Sequence, residues 1–431
     1  MPRRMSYRKM FLFMLPLAAV FAAGDIGQQV LNGGMARMPD AIATLAAYGL
    51  ALGIKGLLST PLIQAGQLGI GLTESHAGRL QIQRFLLVVA SCIGLLLAGL
   101  GLTPIGVWLT RDLHSLTNPL GAEVQFALLC MVPLVFVDGW ARYYSGLLLR
   151  YQHSGWTSAG TSARIGASIA TVFALLPLDL VHSRPIWLPI LVIYVGGLAE
   201  MAVVLRGYFS AVRHRLPEHS PSQLTTRQIF SFFWPLVFIN AVSSGSRPIV
   251  NLFVSRGPNA EFGIAVFVIV ESLAGMICGW LQELRYLPPA FRDEAVNRGQ
   301  IKRFCSWCGI LGVACMAAIC WTPLLEVALV SMVGLEPVLA EAARAPLLIY
   351  SLLPLFTTPR SFLHGLAVVQ HRTTALVPST PVRLLVTVVI CLSLSQWDIA
   401  GATLATAALT AGIGAETLVV WWCLRSKSSH H

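Results

Sequence analysis

Residues 1–215 and 216–431 of this chain resemble each other, and a constant shift of 219 aligns them. Identical residues recur at that shift along most of each half. A hydrophobic chain with two homologous halves is typical of secondary transporters. The sequence therefore predicts two related domains, 1–215 and 216–431. The matches include Phe11 and Phe230, Pro16 and Pro235, Asn32 and Asn251, Arg84 and Arg303, Gly146 and Gly365, and Arg164 and Arg383.

The composition indicates an integral membrane protein. Hydrophobic residues make up 55% of the chain and charged residues only 11%, whereas an average globular domain has about 25% charged residues. Twelve apolar stretches are long enough to cross a bilayer. The sequence therefore predicts an all-α polytopic membrane protein with six helices in each half. The stretches begin near Met10, Ala41, Phe85, Val124, Thr157, Ile186, Ile229, Phe262, Phe304, Pro346, Ala375 and Ile399.

The even number of helices in each half sets the relation between the halves. Both halves enter the membrane from the same side, so the repeats are parallel and related by an axis along the membrane normal. We expect two six-helix bundles around a central cleft.

The net charge is +11, and the distribution of the Lys and Arg residues indicates the membrane topology. Predicted loops on one side hold only Arg37, Arg111, Arg184, Arg256 and Arg344, whereas the termini and the loops on the other side are rich in Lys and Arg. The positive-inside bias then places both termini in the cytoplasm. We expect no nucleic-acid partner. The cytoplasmic set includes Arg3, Arg4, Arg8, Lys9, Arg213, Arg215, Arg227, Arg292, Arg298, Lys302 and Arg303.

The sequence offers no motif for a cofactor or an enzyme. Cys305 and Cys308 form a Cys-x-x-Cys pair, but no second Cys or His pair at ligand spacing accompanies it, so we expect no metal site. No P-loop or dinucleotide fingerprint occurs, and no soluble stretch is long enough for an ATPase domain. We expect a protein without cofactors that uses a gradient or the membrane potential.

Charges within the predicted helices each cost at least about 2.5 to 3.5 kcal/mol at the bilayer centre, so each needs a partner or water. A charge present in both halves is expected to support the bundles. Arg164 in predicted helix 5 matches Arg383 in helix 11, and Glu200 and Glu416 are near matches in helices 6 and 12. We expect Arg164 with Glu200, and Arg383 with Glu416, to form structural ion pairs.

A second group of charges is assigned to gates or ion pairs. Arg142 matches Arg360 if the alignment slips by one residue, so that Gln152 falls on Gln370. Asp138 lies four residues before Arg142 and is expected to neutralise it on the same helical face. The gate or ion-pair candidates are Asp138, Arg142, Glu283, Arg285 and Arg360.

Polar residues present in the first two helices of each half form the third group. They are spaced along single helical faces, as at Asp25, Gln28 and Asn32. Such faces are expected to line an aqueous cleft, although interhelical hydrogen bonding is the alternative. The candidate substrate-binding residues are Asp25, Gln28, Gln29, Asn32, Lys55, Gln64, Arg247, Asn251 and Glu271.

The stretch Ser246-Arg-Pro-Ile-Val-Asn-Leu-Phe-Val-Ser-Arg256 closely resembles the progressive ankylosis protein family. The similarity continues through Gly279-Trp-Leu-Gln-Glu-Leu-Arg285 and Asp25-Ile-Gly-Gln-Gln-Val-Leu-Asn32 and covers nearly the whole chain. The resemblance implies a bacterial member of the multidrug/oligosaccharidyl-lipid/polysaccharide exporter superfamily, with twelve helices in two lobes and alternating access. Animal members of the family are associated with outward movement of pyrophosphate, ATP and citrate.

The leading hypothesis is export of a small organic or phosphate-containing anion. Lys55 and Arg247 are expected to bind the anion, while Asp25, Glu271 and Glu283 hold these cations or close gates. The alternatives are a proton- or sodium-coupled multidrug antiporter, which would use Asp25 or Glu271, and a flippase for a lipid-linked precursor. We expect a monomer in the bacterial inner membrane, whose partners are a small anion and membrane lipid.

Overall fold

The structure, a computed structural model, describes residues 7–35, 37–108, 118–218, 224–254, 260–292, 298–327, 329, 337–397 and 399–426. Every regular element in these ranges is helical, and no strand occurs in them. The predicted all-α polytopic fold class is confirmed.

Six helical segments form the first half. Two short helices, Pro104–Val107 and Asp179–Ser183, follow the third and fifth of them. The six segments are α1 (Tyr7–Met35), α2 (Ala41–Leu58, continued by Thr60–Ile63 and Ala65–Gly71), α3 (His76–Leu102), α4 (Asn118–Cys130, continued by Val132–Arg150), α5 (Ser154–Leu175) and α6 (Trp187–Gly207, continued by Tyr208–Val212 and Arg213–Arg215).

Six further segments form the second half, with a short helix, Leu324–Glu326, after the third of them. They are α7 (Thr226–Ser244, continued by Ser246–Val254), α8 (Ala260–Cys278, continued by Gly279–Tyr286 and Leu287–Ala290), α9 (Arg298–Cys320), α10 (Pro337–Tyr350, continued by Leu353–Val369), α11 (Thr373–Leu376, continued by Ser379–Leu394) and α12 (Gly401–Ser426).

The described segments match the twelve that the hydropathy pattern predicts. Seven are long and apolar enough to cross a membrane without a sharp bend, and α2, α4 and α10 qualify as pairs of helices bent by 68°, 43° and 43°. The remaining two, α1 and α5, have 29 and 22 residues but do not meet the same criterion of length and apolar composition. Since each residue adds about 1.5 Å, both exceed the about 30 Å hydrocarbon core.

The bends in α4 and α10 have the same local cause. In α4 the second part of the segment begins at Val132 and carries Pro133 in its first turn. In α10 the second part begins at Leu353 and carries Pro354 in its first turn. A proline has no backbone N–H and fits most readily in the first turn of a helix, where that group has no partner within the helix. The two halves therefore bend the same helix for the same reason.

The chain forms two compact units. The N-terminal unit comprises Ala23–Trp234, and the C-terminal unit comprises Met1–Ala22 together with Pro235–His431. The division between the units falls inside the first helix of each half, within α1 and within α7. The division at 215 and 216 stays a prediction from the repeat.

Close helix packing recurs at equivalent positions of the two units. In the N-terminal unit a Cβ on Gly146 of α4 would overlap the carbonyl oxygen of Gly66 in α2. In the C-terminal unit a Cβ on Gly365 of α10 would overlap the carbonyl oxygen of Arg285 in α8. Both contacts follow the 219 shift. Glycine is needed at these crossings because the two backbones touch.

The last helix of each half follows a different shift. A Cβ on Gly196 of α6 would lie 3.2 Å from the carbonyl oxygen of Arg164, and one on Gly412 of α12 would lie 3.2 Å from that of Arg383. The arginines are 219 residues apart, but the glycines are 216 apart. Relative to α5 and α11, the sequence alignment of α6 with α12 is therefore offset by three residues. The two helices nevertheless pack at equivalent positions in their units. The carboxylates of the two helices match under the same shift: Glu200 and Glu416.

The turn after α4 and α10 fixes the alignment of these helices. Gln152, with φ 63°, and His371, with φ 53°, both adopt the left-handed conformation, and they are 219 residues apart. The one-residue slip that matches Arg142 with Arg360 is therefore wrong, and Ala141 is the counterpart of Arg360. A shift of one residue along a helix changes the direction of the side chain by about 100° around the helix axis. This rotation explains why Arg142 is exposed whereas Arg360 contacts a buried carboxylate.

Candidate functional site

A network of four charged side chains joins four helices of the N-terminal unit. Lys55 of α2 forms an ion pair with Asp138 of α4. Arg164 of α5 lies 3.4 Å from the other oxygen of Asp138. Arg164 Nη1 also donates to Glu200 Oε2 of α6 at 2.8 Å. The network therefore continues from α2 to α6.

This N-terminal network is electrically balanced. It contains two cations, Lys55 and Arg164, and two carboxylates, Asp138 and Glu200. All but Arg164 are largely buried. Asp138 contacts Lys55 and Arg164, and not the exposed Arg142 that follows it by one turn. Arg142 acts on Asp138 electrostatically without forming an ion pair with it. The ion pairs of Asp138 are made with neighbouring helices, which stabilise charge inside a membrane more effectively than a partner in water.

A second charged cluster joins three helices of the C-terminal unit around Glu416 of α12. Arg360 Nε of α10 lies 2.9 Å from Glu416 Oε1. Arg383 Nη1 of α11 donates to Glu416 Oε2 at 3.1 Å. His364 Nε2, one turn after Arg360, lies 3.6 Å from Glu416 Oε1. Glu416 is completely buried, so one carboxylate faces two guanidinium groups and an imidazole.

A third ion pair connects α7 and α8. Arg247 Nε donates to Glu271 Oε1 at 2.8 Å, and Arg247 Nη2 lies 2.7 Å from the same oxygen. The side chain of Arg247 is nevertheless 64% exposed. The buried phenol of Tyr350 in α10 interacts electrostatically with Glu271, Arg247 and Arg383. Tyr350 therefore links this pair to the cluster around Glu416.

The other predicted site residues have varied surroundings. Gln64 is buried and Asn32 is half-buried. The amide oxygen of Asn251 is buried without a hydrogen-bond partner among the described contacts. Arg285 donates to the hydroxyl of Tyr286 at 3.0 Å and interacts electrostatically with Glu283. The side chains of Asp25, Gln28 and Gln29 lie outside the described residues.

Two residues in these clusters are absent from the sites that the sequence predicts. His364 is a lone histidine in an apolar helix and carries no motif, although its position one turn after Arg360 places both on one helical face. Tyr350 carries no signal in the sequence, because only tertiary packing brings it close to Arg247 and Glu271.

Solved structures with the same fold are MATE and other MOP superfamily transporters. A MATE structure in complex with MaD3S superposes with a TM-score of 0.74 at 13% identity, covering 98% of this chain and 96% of that chain. A MATE structure in the bent conformation gives a TM-score of 0.69 at 13% identity, covering 98% and 95%. A MOP superfamily transporter from Pyrococcus furiosus, described as having a binding pocket of reverse polarity, gives 0.68 at 14% identity, covering 97% and 96%.

These similarities define the class: an integral membrane protein with the twelve-helix fold of the MATE transporters. The family follows from the sequence itself. The family model described as "Progressive ankylosis protein (ANKH)" matches residues 1–322. The chain belongs to the progressive ankylosis protein family, as its motifs predict.

Proposed function

We propose that this protein exports a small organic or phosphate-containing anion by alternating access. The observation that carries the proposal is the environment of Arg247. Its side chain is 64% exposed within a helix of membrane-spanning length, and the Nε–Nη2 edge of its guanidinium contacts Glu271. A guanidinium in hydrocarbon is costly, so the exposed edge faces water. The N–H donors that do not bond to Glu271 among the described contacts suit a carboxylate or phosphate group.

Lys55 is the proposed second cation. It is paired with Asp138, and Asp138 also contacts Arg164. When Lys55 turns to a substrate anion, Asp138 therefore keeps a cationic neighbour and is not left as an isolated buried charge. Glu271 plays the corresponding part for Arg247. The proposed polar contacts are Gln28, Gln29, Asn32, Gln64 and Asn251, with Asp25 as a further charged residue of the site.

The membrane potential provides a sufficient driving force for this direction of transport. With both termini in the cytoplasm of a bacterial cell, the anion leaves a negative compartment. The potential contributes about 2.3 kcal/mol per charge per 100 mV. A trivalent anion therefore needs no coupling ion, and citrate, pyrophosphate and ATP are the substrates to test.

A multidrug antiporter is the second candidate, and the shared fold favours it. One solved structure with this fold is described as a multidrug resistance MATE family transporter, with a TM-score of 0.70 at 13% identity. Glu271 and Asp138 would then bind a proton or a cation in exchange for a cationic drug. The Pyrococcus furiosus relative, described as having reversed pocket polarity, supports the view that the fold accommodates ligands of either charge.

Transport by purified protein in liposomes tests the two candidates. Uptake of labelled citrate, pyrophosphate and ATP is measured under an imposed K⁺-diffusion potential. The wild type is compared with Lys55→Ala and Arg247→Ala, and the exposed Arg344→Ala is the control. We expect movement of one anion that depends on the potential, is lost in the first two variants and is retained in the third. Movement of a cationic dye driven by a proton gradient, with no anion moved, would establish the antiporter instead.

A further inference from the structure

We propose that Arg360, His364 and Arg383 form an oxyanion-binding site in the C-terminal unit, with Glu416 as its fixed counter-ion. The site would bind a carboxylate or phosphate group of the transported anion. The inference rests on the proposed anion export and adds a substrate contact that lies outside the cations Lys55 and Arg247.

The internal repeat distinguishes the charged residues that both units share from those that only the C-terminal unit has. Arg383 and Glu416 correspond in packing to Arg164 and Glu200, so this pair is common to both units. Arg360 and His364 have no charged counterparts, because the 219 shift places Ala141 and Ser145 at their positions. The pair that both units share joins the last two helices of each unit. The additional role is assigned to Arg360 and His364, which only the C-terminal unit has.

The two charged clusters differ in charge balance. In the N-terminal unit, Lys55 and Asp138 add one charge of each sign to the shared pair. In the C-terminal unit, Arg360 adds a positive charge without a second carboxylate, and His364 adds an imidazole. Among the described contacts, Glu416 is the carboxylate that both Arg360 and Arg383 reach. The C-terminal cluster is thus positive by at least one charge.

The hydrogen-bond donors of the cluster also exceed its acceptors. Each guanidinium carries five N–H donors, while one carboxylate offers two oxygens. Arg360 Nε and Arg383 Nε are buried without a hydrogen-bond partner among the described contacts, as are one acceptor, Glu416 Oε1, and His364 Nε2, which donates in one of its two neutral tautomers. Buried donors are normally satisfied, so such atoms require an explanation. An additional oxyanion would supply the missing acceptors.

Access to the cluster is one-sided. The side chains of Arg360, His364 and Arg383 are 19%, 17% and 11% exposed, whereas that of Glu416 is 0% exposed. An oxyanion would therefore approach these three side chains and not Glu416, and a side-chain movement would bring it to the buried Arg383 Nε and His364 Nε2. Guanidinium groups bind carboxylate and phosphate in the same planar, two-bond geometry.

Anion binding to the purified protein provides the test. Binding of citrate and of pyrophosphate is measured separately by isothermal titration calorimetry. The proteins are the wild type, Arg360→Gln and His364→Gln. The control is Arg344→Gln, an exposed arginine of α10, the helix that also carries Arg360 and His364. Loss of a charged hydrogen-bond partner is expected to raise the Kd about tenfold in the first two variants. Arg344→Gln should bind as the wild type does, and Arg360→Lys should recover part of the affinity.

The headgroup of a membrane phospholipid also carries a phosphate and could occupy the same site. Liposomes of two lipid compositions distinguish a lipid headgroup from the transported anion. Transport is measured in liposomes of phosphatidylcholine with and without phosphatidylglycerol. If the site binds the transported anion, Arg360→Gln raises the KM in both compositions. An effect of Arg360→Gln that appears only with phosphatidylglycerol assigns the site to a lipid and overturns the proposal.

The remaining outcomes separate this inference from the proposed function. If the wild type transports an anion and both Arg360→Gln and His364→Gln leave its KM and Kd unchanged, the cluster is structural and the inference alone fails. If the folded wild type neither binds nor transports any of the anions, the proposed function fails and the inference fails with it. Because His364→Gln leaves both arginine contacts with Glu416 in place, it provides a folded variant if Arg360→Gln is unstable.

Discussion

Arg383 Nη1 donates to Glu416 Oε2 at 3.1 Å, and Glu416 has no exposed surface. The equivalent residues of the other unit, Arg164 and Glu200, make the same contact at 2.8 Å. The last two helices of each half are therefore joined by an equivalent ion pair, although the sequence shift between the halves changes from 219 to 216 residues between these two helices.

Removing the carboxylate of this pair should destabilise the protein. Glu416→Gln leaves Arg360 and Arg383 without a counter-ion, and breaking a buried ion pair costs about 3 to 5 kcal/mol. We expect a marked fall in the thermal unfolding temperature in detergent. Glu341→Gln, which alters a 74% exposed carboxylate, is the control and should change little. Equal unfolding temperatures for the two variants would contradict the structural role of the pair.

The backbone contact between α2 and α4 makes a second prediction. Gly146→Ala places a methyl group against the carbonyl oxygen of Gly66. Forcing such overlap costs about 1 to 3 kcal/mol or more, so the variant should unfold at a lower temperature or express poorly. Gly155→Ala is the matched control, because a Cβ there meets nothing within 4 Å. It should be neutral or slightly stabilising. A fully stable Gly146→Ala protein would show that this contact is not made.

Exchanging the charges of Lys55 and Asp138 separates their structural and transport roles. The single variants Lys55→Asp and Asp138→Lys each place like charges together and should lower stability. The double variant restores an ion pair between α2 and α4, and the expected coupling energy is about 0.5 to 3 kcal/mol. We expect the double variant to regain part of the thermal stability without regaining anion transport, since the cation has moved to a different helix and lies beside Arg164. Recovery of both properties would assign Lys55 a structural role only.

The exposed pair between α7 and α8 should behave differently from the buried pairs. Because Arg247 is 64% exposed, Glu271→Gln removes a contact worth about 0 to 1 kcal/mol. Thermal unfolding should therefore change little, while the KM for the exported anion changes, because Arg247 loses the partner that orients it. A large loss of stability with an unchanged KM would place the pair among the structural contacts.

His153, in the turn between α4 and α5, predicts a pH dependence of stability. Burial and the nearby charge of Arg215 hold the pKa of His153 below its usual value of about 6.5. The unfolded chain therefore binds the proton more readily than the folded protein. The contribution of neutral His153 is fully present above pH of about 6.5 and is lost as the pH falls below it. Below that pH, the unfolding temperature of the wild type should fall more steeply with decreasing pH than that of His153→Gln. Parallel pH profiles of the two proteins would contradict this prediction.

Much of the architecture followed from local properties of the chain. Apolar segments of bilayer-spanning length predicted twelve helices, because the membrane requires every backbone group to be hydrogen-bonded within a helix. Arg164 and Arg383 were recognised as equivalent because a single shift relates them in sequence.

The alignment of charged residues was less accessible to sequence alone. Arg142 and Arg360 were paired through a one-residue slip that the turn geometry at Gln152 and His371 excludes. A slip of one residue leaves hydropathy almost unchanged but rotates the side chain by about 100°, which moves it from one neighbouring helix to another. His364 lacked any motif and gained significance only from its distance to Glu416.

The sequence by itself determined the membrane location, the number of helices, the internal repeat and the family. These properties depend on hydrophobicity, length and residue identity, which are local and additive along the chain. Tertiary structure alone decided that Lys55 pairs with Asp138, and that Arg360 and His364 join Arg383 around Glu416. Ion pairs between helices depend on rotation and crossing positions, and these are set by backbone contacts such as that between Gly365 and Arg285.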